Sequence, residues 1–339
     1  MLFTINFRSS SRGVWLIVLL LICGILQVGV AAGQDPTYPI LYCGQLYEMP
    51  LFVAVQKGFF KSEGVAVRLQ PSDPERLRLA INSGNAVGFT ADYRIFQAIA
   101  AGLRLKLVAG LHSGCIRIFT RNDSKIKSIR DLTQKTIGVA YPGDGPMVVA
   151  SRLLRNNGIP AQMINWRFYP QGGLEEALQR HEIDAASIWE PARTGAQAAS
   201  QTDRILFSTS GDTATQHTHS SNRHFYGSFM GLSTKLLTER PGQAAAICRA
   251  WLNGADWVAQ HSNDAVRLTL ANHYLAGNFD SYRKISDSYM WVPGVRFARE
   301  NIRFYLEEQK RLRILPVAGN DRKLLDQVFA PVIPDLNGR

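Results

Sequence analysis

The sequence predicts an α/β protein made of two lobes of similar plan, followed by a helical C-terminal part. Short apolar runs alternate with amphipathic stretches, which is the pattern of parallel β-α-β units. This alternation occurs twice, and its second series begins at the apolar run 116–120. After Pro241 the apolar residues recur at helical spacing instead. Residues with this spacing are Ala244, Ile247, Cys248, Trp251 and Ala255.

The first series of elements begins at residue 40. Asp73-Pro74-Glu75 predicts a helix start, because Asp caps the helix, Pro suits its first turn and Glu faces the positive end of its dipole. Gly58 and Gly84 end the helices that precede them. The predicted strands are 40–43, 65–69, 87–90 and 105–111, and the predicted helices are 51–56, 74–82 and 93–101.

The second series repeats this order of elements. Ser128-Ile129-Arg130-Asp131 has the S-x-x-D pattern of a helix N-terminus. The polar, aperiodic segment 208–224 predicts a long surface loop before a return strand at 225–232. The predicted strands are 116–120, 136–140, 165–169 and 185–188, and the predicted helices are 147–156 and 174–180.

The composition of the 339 residues excludes disordered, collagenous and disulfide-scaffold proteins, since 46% are hydrophobic and 19% are charged. Lys and Arg number 38 against 27 Asp and Glu, and the formal net charge of +11 would suit an anionic ligand, a membrane surface or nucleic acid. However, the basic residues are spread along the chain. The densest stretch, 296–323, also carries acidic residues and predicts a solvated helix face. No nucleic-acid partner is therefore predicted.

The first 33 residues have the pattern of a secretory signal peptide. Arg8 and Arg12 precede the apolar run 14–26, and small residues follow up to Ala32, where we expect cleavage. The alternative is an uncleaved membrane anchor, because the apolar segment is nearly long enough to span a bilayer. The bulky residue before Cys23 argues against lipoprotein processing. We therefore expect an exported, periplasmic protein.

Five stretches resemble, in order, a group of ABC-importer solute-binding proteins. Residues 51–65 resemble its A-x-x-K-G-F-F-x-x-E-G-L segment. The group covers nitrate, sulfonate and taurine carriers and the binders of thiamine-pyrimidine precursors. The resemblance spans roughly residues 38–260. The other matching stretches are 80–84 with 88–92, 129–132 with 135–139, 182–185 and 189–191.

The resemblance implies a two-lobed type II periplasmic-binding-protein fold with two hinge crossings. Lobe 1 would comprise residues 36–121 and 229–339, and lobe 2 residues 122–228. The chain would cross out near Thr120–Asn122 and return near Gly227–Leu232. The ligand would lie between the lobes, which agrees with the rule that open α/β sheets bind ligands beyond the carboxyl ends of their strands.

Strand ends in the first lobe predict six ligand-binding residues. Glu48 has an alternative role as an acidic residue at a helix N-terminus, and Asp92 has one as a helix cap. His112 is equally compatible with a structural histidine whose ring nitrogens are satisfied. The six residues are Gln45, Tyr47, Glu48, Asp92, His112 and Ser113.

The second lobe adds six more candidates. Gly143-Asp144-Gly145 would expose backbone amides at a helix N-terminus, which is a site for an anion or a carbonyl oxygen. Trp189 offers a stacking surface, with a core tryptophan as the alternative, and Glu190 follows it. Tyr226 would reach the ligand from the return crossing. The candidate carboxylates would repel a bare anion, so we expect a solute with N–H or O–H donors, with or without a ring, such as a pyrimidine, a flavin or an amine-bearing compound.

These features predict a monomeric, non-enzymatic carrier that delivers a small-molecule solute to an ABC permease and its ATPase, without cofactor or metal. The main alternative is an enzyme on the same fold. One branch of the group makes the thiamine pyrimidine in a single turnover with a C-C-C-F-C motif, whereas Cys43, Cys115 and Cys248 stand apart. Two further alternatives are a ligand sensor and a metal-dependent protein built on His217, His219 and His224, although that segment predicts a solvated loop.

Overall fold

Two β-sheets organise the fold. The computed structural model describes residues 36–189, 203–209, 225–315 and 320–334. Its strands are β1 (Thr37–Tyr42), β2 (Ala66–Pro71), β3 (Gly88–Ala91), β4 (Leu105–Gly114), β5 (Ile116–Arg121), β6 (Thr136–Val139), β7 (Asn165–Phe168), β8 (Ala185–Trp189), β9 (Asp203–Ser208), β10 (Tyr226–Ser233) and β11 (Tyr289–Gly294).

The helices follow the strands in the alternation that the sequence predicts, and they dominate the C-terminal part. They are α1 (Met49–Gln56), α2 (Phe59–Ser62), α3 (Pro74–Ser83), α4 (Ile95–Ala100), α5 (Gly145–Asn156), α6 (Leu174–Gln179), α7 (Thr234–Glu239), α8 (Pro241–Gln260), α9 (Ser262–Ala271), α10 (Phe279–Ser286), α11 (Arg296–Arg311) and α12 (Asp321–Val328). The α/β class is therefore confirmed. The predicted signal segment lies outside the described residues.

The first sheet has the strand order β11-β4-β10-β3-β1-β2 among the described residues. β1 runs parallel to β2 and β3, with Ile40 opposite both Leu69 and Gly88. β10 runs antiparallel to β3 and β4, so it enters the sheet against the direction of its neighbours. This geometry places the carboxyl ends of β1, β3 and β4 at the same edge of the sheet.

The second sheet has the order β7-β6-β8-β5-β9 within the described ranges. β6 pairs parallel with β7 and β8, and β5 pairs antiparallel with β8 and β9. Helix α5 follows β6, and it begins at Gly145, close to the carboxyl end of that strand. The described residues from Thr37 onward, which contain both sheets, form one compact unit.

The chain passes between the sheets earlier than the sequence predicts. We expected the outward crossing near Thr120–Asn122, but β5 already pairs within the second sheet, so the crossing lies at Gly114–Cys115. Both residues adopt left-handed backbone conformations, with φ of 86° and 68°. β10 pairs in the first sheet from Tyr226 onward, so the return precedes the predicted Gly227–Leu232. Apolar alternation identifies strands but does not reveal which sheet they join.

Local capping chemistry agrees with the predicted helix starts. The carboxylate of Asp73 accepts hydrogen bonds from the backbone N–H groups of Glu75 and Arg76, at 3.0 and 2.9 Å. The carboxylate of Asp131 accepts from the backbone N–H of Ser128 at 2.9 Å, in the capping box that its spacing predicts. These bonds satisfy amides that have no partner within the first turn of a helix.

Helix α8 packs closely against α1 because of a glycine. The apolar residues predicted on α8 are all buried. At Gly254 an added Cβ would lie 2.2 Å from the carbonyl oxygen of Pro50 and 2.9 Å from the Cβ of Ala54. Only a residue without a side chain permits this approach of the two helices. No helix in the described part of the chain is long and apolar enough to cross a membrane.

We predict that Gly254→Ala lowers the melting temperature although alanine has the higher helix propensity, by about 1 kcal/mol per residue. The Cβ would force α8 away from α1, and burying it without space costs about 1 to 3 kcal/mol. The matched control is Gly242→Ala in the same helix, where an added Cβ has nothing within 4 Å. Scanning calorimetry of both variants checks this. Equal melting temperatures for the two variants would contradict the packing argument.

Candidate functional site: an aromatic cleft between the sheets

A cleft of about 470 Å³ lies where the two sheets face one another. The loop after β1 and the residues after β3 form one side, and residues that follow β6 or end β8 form the other. The C-terminal part contributes a third side from α10 and β11. The lining residues are Cys43, Gly44, Gln45, Leu46, Tyr47, Pro74, Asp92, Arg94, His112, Cys115, Tyr141, Trp189, Gly227, Tyr282, Ile285 and Tyr289.

Of the predicted site residues, Gln45, Tyr47, Asp92, His112 and Trp189 line this cleft. Ser113 and Gly145 are buried and do not line it, and neither do Gly143, Glu48, Asp144 and Tyr226. Glu190 lies outside the described residues, as do His217, His219 and His224.

Glu48 binds the backbone of the loop after β1 without itself lining the cleft. Its side chain is 1% exposed, and its carboxylate accepts hydrogen bonds from the backbone N–H groups of Cys43 at 3.0 Å and Gln45 at 2.7 Å. Burial raises the pKa of this carboxyl to about 7, although the backbone hydrogen bonds oppose the rise. Glu48 therefore shapes the loop that presents Gln45 and Tyr47, and its oxygens are already engaged by the protein.

Asp92 combines a local hydrogen bond to the backbone with an ion pair on the cleft wall, and the residue at the cap position of α4 is Arg94 rather than Asp92. Its carboxylate accepts from the backbone N–H of Arg94 at 2.9 Å and from the Arg94 guanidinium, whose Nε lies 2.8 Å from Oδ2. The hydrogen bond to Asp92 raises the pKa of Arg94 above its usual range. The pair therefore carries no net charge, while the guanidinium remains half exposed at the cleft.

Asp144 supports the ring of Trp189. The indole Nε1 of Trp189 donates to Oδ1 of Asp144 at 2.8 Å, and the Asp144 side chain is fully buried. Burial raises the pKa of this carboxyl to about 7; the hydrogen bond from Trp189 lowers it, and the charge of Asp92 raises it. Oδ2 has no hydrogen-bond partner among the described groups. The hydrogen bond from its indole therefore fixes the position of Trp189, which lines the cleft.

The expected anion site at Gly143 and Gly145 is covered by aromatic rings. An added Cβ at Gly145 would lie 2.5 Å from atoms of both Trp189 and Tyr93, so these rings pack directly on the start of α5. The backbone N–H of Gly143 is directed at the sulfur of Met147, at 3.4 Å. These contacts leave little room for a ligand at this helix N-terminus.

Tyr226 belongs to the core rather than to the cleft wall. Its side chain is 1% exposed, and its hydroxyl donates to the carbonyl oxygen of Val292 at 2.6 Å. Its ring packs on Gly110, where an added Cβ would lie 2.3 Å from it. Because β10 enters the first sheet at Tyr226, this side chain points into the sheet packing.

His112 lies in a stack of rings on the cleft wall. The ring of Tyr289 is 4.3 Å away and that of Tyr47 is 6.4 Å away, both within 15° of parallel to the imidazole. Nδ1 is 2.6 Å from the hydroxyl of Ser228, and Nε2 is 3.4 Å from the sulfur of Cys115. Burial lowers the pKa of His112 to about 3, which keeps the imidazole neutral.

Sequence reasoning missed several lining residues. Tyr141 immediately precedes the Gly- and Pro-rich turn after β6, so its position alone would have suggested it. Arg94 lies two residues after Asp92, at the start of a predicted helix. The contributions of Tyr282 and Tyr289 depend on how α10 and β11 fold back on the first sheet, and no local pattern signals that.

The geometry corrects the expectation of a cleft edged with available carboxylates. The carboxylates of Glu48 and Asp92 are engaged by backbone amides and a guanidinium respectively. Asp144 is buried and does not line the cleft; its Oδ1 accepts from the indole of Trp189, and its Oδ2 has no hydrogen-bond partner among the described groups. None of the three therefore presents an unengaged carboxylate oxygen on the cleft wall. Within the described residues, no group of three or more His, Cys, Asp or Glu side chains is placed to hold a metal ion.

The fold is that of the periplasmic binding proteins. The periplasmic aliphatic sulphonate binding protein SsuA of Escherichia coli matches with a TM-score of 0.64 and 17% identity, over 90% of this chain and 95% of that one. The periplasmic nitrate-binding protein NrtA of Synechocystis PCC 6803 matches with a TM-score of 0.63 and 14% identity, over 87% of this chain and 86% of that one. The fold expected from the sequence is confirmed.

The chain belongs to the NMT1/THI5-like family, whose model matches residues 45–265, more than half of the chain. The 4-amino-5-hydroxymethyl-2-methylpyrimidine phosphate synthase of Uromyces fabae is 30% identical over 120 residues, which are 34% of this chain and 35% of the synthase. The match thus spans about a third of that enzyme. The resemblance to the nitrate, sulfonate and thiamine-pyrimidine group is confirmed.

We predict that Asp144→Asn becomes more stable relative to the unmodified protein as pH rises from 5 to 8. The pKa of the Asp144 carboxyl is about 7 in the folded protein and 3.8 ordinarily. The protonated carboxyl therefore makes its full contribution to the free energy of unfolding below the ordinary pKa of 3.8. It is lost as pH rises through 7, because the fold disfavours the charged form. Asparagine cannot ionise and removes this loss. Glu48 titrates in the same range, but it is present in both proteins and cancels in the difference.

Melting temperatures at several pH values across this range measure the effect. The control is Asp131→Asn, since hydrogen bonds lower the pKa of that exposed carboxyl and it stays ionised from pH 5 to 8. The difference in melting temperature between Asp131→Asn and the unmodified protein should not change with pH. A pH-independent difference for Asp144→Asn as well would show that this carboxyl is not perturbed.

Proposed function

We propose that this protein is the extracytoplasmic solute-binding component of an ABC importer, located in the periplasm and acting as a monomer. It captures a small organic solute between two lobes and delivers it to a membrane permease driven by a separate ATPase subunit. The observation that carries this proposal is the cleft, because it draws side chains from both sheets at their strand ends. The sulphonate- and nitrate-binding proteins of the same fold support it.

Capture requires a ligand that touches both sheets at once. Tyr47 and His112 approach it from the first sheet, whereas Tyr141 and Trp189 approach it from the second. A solute that contacts both sides stabilises the closed arrangement over an open one and shifts the population toward it. The closed form then docks on the permease. No step of this cycle needs a cofactor.

The cleft wall suits a ring-bearing solute better than a bare anion. Arg94 is the cation among its lining residues, and Asp92 already neutralises it. A small anion would therefore find no uncompensated positive charge on the described wall. Six aromatic side chains line it, and each stacked ring contributes about 1 kcal/mol beyond its buried area. These are Tyr47, His112, Tyr141, Trp189, Tyr282 and Tyr289.

The Uromyces relative favours a second candidate, an enzyme on the same fold. The C-C-C-F-C motif of the pyrimidine-making branch does not occur in this sequence. Turnover of a bound compound therefore needs groups other than that motif. Mass spectrometry of the compound recovered after incubation distinguishes an enzyme, which alters it, from a carrier, which returns it unchanged.

We predict that calorimetry detects saturable binding of 4-amino-5-hydroxymethyl-2-methylpyrimidine, with weaker binding of butanesulfonate and none of nitrate. A bound solute raises the melting temperature with its concentration, because it binds the folded state alone. Native mass spectrometry of protein purified without refolding shows in parallel whether a solute is retained. Tight nitrate binding would contradict the ring-bearing class. A failure of every compound, with no retained solute, would contradict the carrier role.

We further predict that Trp189→Ala weakens binding of the solute that calorimetry selects by about tenfold, since it removes one face of the cleft. The control is Trp166→Ala in the same sheet, whose indole donates to the carbonyl oxygen of Ala161 and does not line the cleft. Titration calorimetry compares the two dissociation constants. Equal losses for both variants would place the solute elsewhere.

A further inference from the structure

Arg94 has an unused hydrogen-bond donor on the cleft wall. Its Nε donates to both carboxylate oxygens of Asp92, at 3.0 Å to Oδ1 and 2.8 Å to Oδ2, and its Nη2 also donates to Oδ2. Within the described residues, no group accepts a hydrogen bond from its Nη1. Arg94 lines the cleft, and its side chain is half exposed. The Nη1 edge of the guanidinium is therefore available to a molecule in the cleft.

Asp92 fixes both the orientation and the net charge of this guanidinium. Its carboxylate is itself held by the backbone N–H of Arg94, at 2.9 Å. Because the ion pair is neutral as a whole, a small anion would lose its hydration without meeting an uncompensated positive charge. An uncharged acceptor has less hydration to lose, and it still gains a hydrogen bond from a charged donor. The pair therefore favours a neutral acceptor over an anion.

Two tyrosines from opposite sides of the cleft lie within reach of the charges of this ion pair. Tyr47 follows β1 of the first sheet, and Tyr141 follows β6 of the second. Burial raises the pKa of both hydroxyls, the charge of Asp92 raises it further, and the charge of Arg94 lowers it. Both hydroxyls therefore keep their protons. Arg94 thus lies where aromatic side chains of both sheets approach the same solute.

Other polar groups of the wall have their partners inside the protein. The imidazole nitrogens of His112 contact the hydroxyl of Ser228 at 2.6 Å and the sulfur of Cys115 at 3.4 Å. The indole N–H of Trp189 donates to a buried carboxylate at 2.8 Å. At Arg94, by contrast, the wall offers a donor without a partner. The group that this donor selects on a solute is an acceptor.

A carbonyl oxygen is the neutral acceptor that suits this edge best. Nε and Nη2 of Arg94 are occupied on the side of Asp92, which leaves the parallel N–H groups of the Nη1 edge. A carbonyl oxygen has two lone pairs and can accept from both of these N–H groups, whereas a ring nitrogen has one lone pair. An amino group would leave the donors of this edge unpaired.

We propose that Arg94 is the specificity-determining residue of the cleft, and that it selects an uncharged ring compound through a carbonyl oxygen on the ring. Nη1 donates to that oxygen while the ring lies against the aromatic side chains of the wall. Asp92 is a positioning residue, because it orients the guanidinium and cancels its charge. The inference rests on the proposed function, which places the solute in this cleft, and it adds the polar group by which the solute is recognised.

The test is titration calorimetry on the unmodified protein with two pyrimidines that differ in one group. 2-Methylpyrimidin-4-one has a ring carbonyl where 4-amino-2-methylpyrimidine has an amino group, so the shape is matched and an acceptor is exchanged for a donor. The titrations are made at a pH where both compounds are uncharged. The carbonyl compound should bind at least about tenfold more tightly, because only that compound pairs with the charged donor.

Arg94→Met distinguishes a specificity role from a structural one. It removes the donor and releases Oδ2 of Asp92, an acceptor on the same wall, so the preference should reverse toward the amino compound. The matched control is Arg180→Met. Arg180 is also half exposed and pairs with the acidic residue two positions along, Glu182, at 2.7 Å, but it does not line the cleft. This control should leave both dissociation constants within about twofold of those of the unmodified protein.

Equal binding of the two pyrimidines by the unmodified protein, or tighter binding of the amino compound, would overturn the inference without affecting the carrier role. An unchanged preference in Arg94→Met would also overturn it, because another group would then select the carbonyl. If Arg94→Met does not fold, the comparison in the unmodified protein decides alone. Binding of butanesulfonate with no binding of either pyrimidine refutes the inference only. A protein that binds no compound and retains no solute refutes the carrier role, and the inference with it.

Discussion

Tyr93 connects the first sheet, the second sheet and the C-terminal helix α11, which surround the cleft. Tyr93 follows β3 of the first sheet, and its hydroxyl donates to the carbonyl oxygen of Tyr226, where β10 begins. The same hydroxyl lies 2.7 Å from that of Tyr305 on α11. Its ring is 5.3 Å from the ring of Trp189, at the end of β8 in the second sheet. The position of the Trp189 face is therefore set by contacts on both sheets and on the C-terminal helix.

Helix α11 ties the second sheet to the first through a buried carboxylate. Glu308 is fully buried and accepts hydrogen bonds from Ser151 at 3.1 Å and from Nε of Arg155 at 3.0 Å, both on α5. The side chain of Gln309 donates to the carbonyl oxygen of Gly143 at 3.1 Å. A buried charge is tolerated only with close partners, so separating α5 from α11 is costly. Any opening of the cleft must keep these contacts or compensate for them.

Local patterns in the sequence predicted most of the fold. Periodicity and capping residues located the strands other than β9 and β11 and the starts of several helices, and the Lys-Gly-Phe-Phe segment identified the family. The crossing at Cys115 was misplaced because β4 and β5 are separated by one residue, and their sheet membership depends on distant strands. Of the residues predicted from strand ends, Tyr47, His112 and Trp189 line the cleft. Glu48 is predicted from the same pattern but does not line it, because its carboxylate turns back to backbone amides of its own loop, and no sequence pattern signals that orientation.

The central claim is that the space between the sheets is where the solute binds. A crystal structure of the protein that retains its solute, or is grown with the compound that calorimetry selects, tests it most directly. The account predicts electron density for one molecule enclosed by Tyr47, His112 and Trp189, in contact with both sheets. Density for the solute at another surface, with this cleft filled by side chains, would contradict it.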